Sequence, residues 1–164
     1  GVKRTSLMVY PLSFPKYNYL MKQGHIDTSL NTQVIDLRQD LQAIHGAMRK
    51  GHDYDIDKGQ KELYTCVFTN IDLLPATFED YHQLHTKDAG RETRTQSTWD
   101  MQYEWILSGN AILVGTKTLD NVWKGFSYIF TYKGKAYYGS ACSDPDHPEL
   151  SVGHVLTWKT IECL

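Results

Sequence analysis

Two stretches of this 164-residue chain carry side chains whose types and spacing can do chemistry. The first is GSACSDPDHPELSVGHVLTW, residues 139–158. Here a strand bearing Tyr137 and Tyr138 runs into a loop with two prolines and three acids, then leaves through Ser151-Val152-Gly153-His154 into an apolar helix. A helix start presents unpaired N–H groups and a partial positive charge. Gly153 lets a ligand approach the backbone closely. Ser151 can cap the helix or bond a ligand, and His154 can move a proton at neutral pH. The same residues also read as an ordinary helix entrance with Gly153 packed against the sheet. Tyr137 and Tyr138 alternate across the sheet, so one faces the core and the other the opposite face or a cleft. Ser140 and Ser143 line the same exit.

The second stretch is KDAGRETRTQSTW, residues 87–99. It places Lys87, Arg91 and Arg94 close together beside Trp99, with Gly90 permitting a sharp turn. Guanidinium forks suit carboxylate or phosphate recognition. A solvated interhelical loop is the competing reading. Other candidates are weaker. His82 and His85 stand at i and i+3 on a helix without an evident third metal ligand. The acidic run HDYDID, residues 52–57, lacks the glycine turn and closing glutamate of a calcium loop. P-loop, dinucleotide-binding, zincin and nucleophile-elbow signatures are absent.

These residues must be positioned by elements that the pattern of the chain predicts. TSLMVY (5–10) and TQVIDL (32–37) read as strands, with a loop between them marked by Pro11, Pro15 and Gly24. A helix follows with Leu37, Leu41, Ile44 and Met48 on one face, and Asp36 with Gln39 as its capping box. LYTCVFTN (63–70) is a strand. After Pro75 a helix carries Phe78, Tyr81 and Leu84 on one face. Ser97-Thr98 opens another with Trp99, Tyr103, Ile106 and Leu107 facing inward, ended by Gly109-Asn110. Strands follow at 111–118, 124–132 and 135–142, the last two joined by a tight hairpin at Lys133-Gly134. A final helix spans 149–163, with Asp146 and Glu149 as caps and Val155, Trp158 and Ile161 toward the core. The order implies a mixed α/β (α+β) sandwich built on a largely antiparallel sheet, in a single domain over 1–164.

Composition sets outer bounds. The chain is 41% hydrophobic and 22% charged, as a globular domain should be. A net charge of -2 provides no bulk attraction to nucleic acid or anionic membrane, so no nucleic-acid partner is expected. There is no apolar run long enough for a membrane span, and the apolar segment near residue 1 is too short for a signal peptide. Cys66, Cys142 and Cys163 form no C-x-x-C pair and read as buried free thiols. A cytoplasmic location is the expectation.

TQVIDL with its long helix and MRKGHDYDIDKG, then YHQLHTKDAGRETR, then AYYGSACSDPDHPELSVGHVLTWKTI, follow one another in an order that resembles the FemAB-type branch of the GNAT acyltransferase superfamily, which includes peptidoglycan bridge aminoacyltransferases. The resemblance covers roughly 32–164. It implies a GNAT-like fold in which the acyl donor lies beside the strand at 135–142 and faces the following helix start. It further implies an N-acyltransferase moving an acyl group from an activated thioester or ester, acyl-CoA as co-substrate and no permanently bound cofactor, to the amine of a small molecule. On that reading Ser151, Val152, Gly153 and Ser143 contact the donor. His154 is the base and Tyr138 the acid. Ser140 or backbone N–H groups steady the oxyanion. Arg91, Arg94 and Trp99 serve the acceptor. The chain departs from the family's pattern at three places. Glu149-Leu-Ser-Val-Gly-His does not match the pyrophosphate signature R/Q-x-x-G-x-G/A. Asp53 stands where a basic residue is usual. No strand follows the last helix, so an open sheet edge that can pair copies of the chain is expected. A non-catalytic GNAT-like binding module is the alternative reading.

Overall fold

A computed structural model describes residues 33–164. The expected strand at 5–10 and the loop after it lie outside the described residues. The elements fall within one compact unit, Asp36–Leu164. They are α1 (Leu41–Gly46), α2 (Lys50–Glu62), β1 (Leu63–Phe68), α3 (Pro75–Ala89), α4 (Gln96–Leu107), β2 (Ala111–Thr118), β3 (Trp123–Tyr132), β4 (Lys135–Ser143) and α5 (Val152–Cys163). The four strands form one antiparallel sheet in the order β1-β2-β3-β4. The mixed α/β architecture is therefore as expected. Among the described strands β4 pairs with β3 alone.

The strands form where the chain is β-branched and aromatic, and the β3–β4 turn has the chemistry it needs. Lys133 and Gly134 both take positive φ, at 47° and 68°, as a two-residue turn of the primed type requires. One face of the sheet carries Leu113, Phe126, Tyr128 and Cys142 against Phe78, Tyr81, Trp99 and Ile106 of α3 and α4. The other carries Leu63 and Val114 against Val152, Val155 and Leu156 of α5. A smaller cluster joins Ile44 and Ile56 to Trp158 and Ile161. Gly125 makes the α5 contact possible: a Cβ there would collide with Val152 and lie 2.8 Å from the Cys142 carbonyl oxygen.

Several expectations are corrected. Residues 33–36 are not a strand; Val34 and Ile35 are exposed, and among the described residues no strand pairs with them. The next helix starts at Leu41, capped by Asp40, whose carboxylate accepts from the Gln42 N–H at 2.8 Å. Asp36 does not cap it, because its carboxylate is held by the Arg38 guanidinium. Leu41 and Leu107 are exposed rather than inward. Helix α5 starts at Val152, with neither expected acid as its cap: Asp146 binds Lys87 and Glu149 binds His147. The three cysteines are free, but only Cys142 is buried; Cys163 lies on the last turn of α5, beyond the core contact of Ile161, and is exposed. Among the described residues no helix is long and apolar enough to cross a membrane.

Candidate functional site

The entrance to α5 collects the first group of candidates. Ser151 is the N-cap residue, yet its side chain does not cap the helix and instead lies 3.5 Å from Asp55 Oδ1. Val152 is buried against Gly125, and its N–H already donates to the Leu150 carbonyl at 2.8 Å. Gly153 is exposed, and a Cβ added to it would meet nothing within 4 Å. It is not packed against the sheet, and the entrance is open. His154 Nε2 lies 2.9 Å from His52 Nδ1 and 3.7 Å from Asp55 Oδ2. With Arg49 and Gly51 these three residues line a pocket of about 250 Å³ between the first turns of α2 and α5.

Burial pushes the Tyr138 phenol pKa up, and Thr157 of α5 acts against it. At about 100° per residue, Gly153, Thr157 and His154 fall within one arc of α5. The His154 ring, however, is turned to His52 and Asp55 of α2, so it and Tyr138 have different partners. Ser140 joins neither. The register shifts between Tyr128 and Ile129, which pair with Ser140 and Tyr138, so Gly139 is an extra residue. Such a bulge cancels the alternation that should have put residues 138 and 140 on one face. Ser140 therefore points to the α3 side, where its Oγ lies 2.6 Å from the Tyr81 hydroxyl. Ser143 is half-buried, and its backbone N–H donates to Asp88 Oδ2 at 3.0 Å.

A buried ion network holds the loop from β4 to α5. Asp144 accepts from Lys124 Nζ at 2.8 Å and from Lys87 Nζ at 2.7 Å, and Lys87 also binds Asp146 at 2.7 Å. Burial alone would raise the Asp144 pKa, but the two ammonium groups hold the carboxyl well below the usual carboxylate range. The loop is thereby tied to both β3 and α3.

The second group sits between α3 and α4. Arg91 is exposed. Arg94 is half-buried; its Nη1 donates to His85 Nε2 at 2.8 Å, and its guanidinium lies 4.9 Å from the centroid of the Trp99 ring. Trp99 is buried and its indole N–H donates to Glu92 Oε1 at 2.9 Å. Glu92 Oε2 lies 2.8 Å from His82 Nε2. The hydrogen bonds from His82 and Trp99 bring the Glu92 carboxyl down to about 2. Burial, then the charge of Arg94, lowers the His85 pKa. The two histidines are thus committed to different partners, and among the described residues no group of three or more His, Cys, Asp or Glu side chains could hold a metal ion.

Sequence reasoning passed over His52, Asp55, Glu92 and the Lys124–Asp144 pair. His52 and Asp55 at i and i+3 were a legible signal once Lys50–Glu62 is one helix, since that spacing puts both on one face. Nothing in the local sequence marks Lys124 as buried.

An antiparallel sheet with α3 and α4 on one face and α5 on the other, its last strand leading into an open helix entrance, is the GNAT-like arrangement. Solved structures place it more narrowly. The chain is similar to FemX, with a TM-score of 0.58, 10% identity, and coverage of 77% of this chain and 48% of that one. It is also similar to L-PGS from Bacillus licheniformis, with a TM-score of 0.55, 14% identity, and coverage of 76% of this chain and 39% of that one. The resemblance to the FemAB-type branch thus holds in the fold. The chain spans less than half the length of either protein. No family model and no curated protein matches the sequence.

Proposed function

We propose that this chain is an N-acyltransferase that moves an acyl group from an activated donor to an amine, with acyl-CoA as the donor and a small molecule as the acceptor. The observation that carries the reading is the open α5 entrance. Among the described residues nothing lies within 4 Å of a Cβ at Gly153, and His154 follows it in the pocket shared with His52 and Asp55 of α2. The likeness to FemX and L-PGS in fold supports acyl transfer in general.

On this reading the donor carbonyl lies at this entrance and the amine nitrogen attacks it. The C–N bond forms and the C–S bond of the thioester breaks. Proximity supplies much of the rate. His154 takes the amine proton. Tyr138 returns a proton to the leaving thiolate. Ser140 is turned to the other face, so the oxyanion is steadied by backbone N–H groups of the helix start, Gly153 above all. Ser151 and Ser143 border the donor. Arg91, Arg94 and Trp99 stand on the α3–α4 side for the acceptor.

Thermal unfolding with acetyl-CoA, a long-chain acyl-CoA and free CoA tests this. Ligand at about a hundredfold over its Kd stabilises the native state by about 2.7 kcal/mol. The expected result is a raised midpoint with one thioester, abolished by Gly153→Trp. Because position 153 is open, that substitution should fold. A midpoint unmoved by any thioester overturns the donor assignment. It would favour a non-catalytic binding module, which the turned-away Ser140 and the engaged Nε2 of His154 already suit.

A further inference from the structure

We propose that Arg94 is a preorganised oxyanion receptor on the α3–α4 side of the sheet, binding a carboxylate or phosphate group through its free Nε–Nη2 edge. The name acceptor for that ligand rests on the acyltransferase reading; the anion binding itself does not.

Arg94 is a half-buried cation without a counter-charge. Among the described residues no carboxylate forms an ion pair with it. The nearest acid in sequence, Glu92, spends its two oxygens on Trp99 and His82 and offers its Oε1 only to the Arg94 backbone N–H, at 3.4 Å. Asp88 accepts from the Ser143 N–H. What holds the guanidinium is neutral: the His85 ring, the Thr93 hydroxyl at 3.1 Å and the face of Trp99. Burial, then Arg94 itself, lowers the His85 pKa, and its ring nitrogen accepts the hydrogen bond from Nη1. A charge drawn partly out of water and left unneutralised costs free energy. Fixing it at that cost makes sense when a ligand supplies the missing anion.

The fork is also aimed. Every hydrogen bond that Arg94 makes from its side chain runs through Nη1, to His85 and Thr93. The side-on edge, Nε with Nη2, is unused. The same edge of Arg38 shows what it can do. There Nε and Nη2 grip the two oxygens of Asp36 at 2.8 and 2.7 Å, in full solvent. Two parallel donors of this kind select a planar carboxylate or two phosphate oxygens. At Arg94 the grip comes ready-made, because His85 and Trp99 have already fixed the guanidinium.

The test is a side-chain NMR titration of the full 15N-labelled chain with sodium phosphate and, separately, sodium acetate, against sodium chloride at matched ionic strength. Arg94 Nε–H and Trp99 Nε1–H are the reporters. A saturable shift with phosphate alone assigns a phosphate ligand; saturation with acetate alone assigns a carboxylate; chloride should give no saturation. Arg94→Lys keeps the charge but not the fork, and should weaken binding about tenfold or more. Arg94→Gln, checked for native spectral dispersion, should abolish it. The proposal is overturned if neither anion saturates the Arg94 signal. Unchanged binding in Arg94→Lys, or loss in Arg91→Lys alone, overturns it equally. Gly153→Trp should leave this titration intact while removing any thioester stabilisation, so the two readings fail separately.

Discussion

The two faces of the sheet are held by different physics. Under α5 the contact is aliphatic: Val114, Val152, Val155 and Leu156, with Gly125 removing the one side chain that would hold the helix off. Under α3 and α4 the layer is aromatic and carries polar groups into the interior. The Tyr81 hydroxyl meets Ser140, the Tyr128 hydroxyl donates to the Gln102 carbonyl at 2.9 Å, and His85 accepts from Arg94. A largely apolar layer positions an element and leaves little to satisfy. A layer with buried polar groups has to match each of them, so unmatched ones stand out. One does among the described residues: the buried Gln102 Oε1, which has no hydrogen-bond partner. The α5 face buries only hydroxyls, and these are paired: Ser127 lies 3.4 Å from Thr160, and Thr116 donates to the Tyr64 carbonyl, while His154 and Tyr138 stand at the rim. The other face keeps more of its polar chemistry inside.

This contrast can be broken in graded ways. The largest effect should come from the ion network that spans both halves. Asp144→Ala leaves Lys124 buried without its carboxylate and should cost roughly 3–5 kcal/mol in urea unfolding. Next is the aliphatic face. Gly125→Val drives a side chain into Val152 and the Cys142 carbonyl and should cost about 3 kcal/mol. If α5 can shift without loss of stability, the close contact is not what positions it.

The polar face should respond differently, to mismatch rather than to volume. Ser140→Ala strands the buried Tyr81 hydroxyl and should cost about 1–3 kcal/mol, of which Tyr81→Phe in the same chain restores most. An additive double variant would show that the pair is not coupled.

Protonation offers a gentler probe of the same face. His85 has its pKa below the ordinary 6.5, so the unfolded chain binds a proton first and stability declines as pH falls below about 6.5. Glu92, lowered from 4.5 to about 2, adds a second decline as pH falls through that lower range. Melting temperature against pH should show both, and His85→Gln should flatten the first. The smallest change belongs to the rim of the α5 face. His52→Ala removes an exposed contact to His154 and should move stability by no more than about 0.5 kcal/mol. On the acyltransferase reading it should nonetheless shift the pH profile of transfer.

Much of the frame was legible because local physics and tertiary structure agree there. Residues 111–118 are a strand by composition and by pairing, and Lys133-Gly134 could hardly be anything but a hairpin turn. The failures have a common origin in partners distant in sequence. Val34 and Ile35 look like strand residues, but among the described residues no strand pairs with them. Asp146 and Glu149 look like caps, but Lys87 and His147 take them first. Ser140 looked like a neighbour of Tyr138 until one extra residue, Gly139, turned it to the opposite face.

Pattern and composition by themselves determined the order of the elements from residue 63 onward, the antiparallel meander and the helix that follows it, since periodicity and turn residues act over a few positions. They also determined which residue types are at hand: a histidine and a glycine at the helix start, and two arginines between helices. Tertiary structure alone decided how these are used. Whether Arg94 is paired depends on where Glu92, His82 and Trp99 meet. The company of His154 depends on α2 crossing α5. Charge and hydrogen-bond satisfaction are settled by distances of a few ångströms, and those are set by the packing of the whole unit.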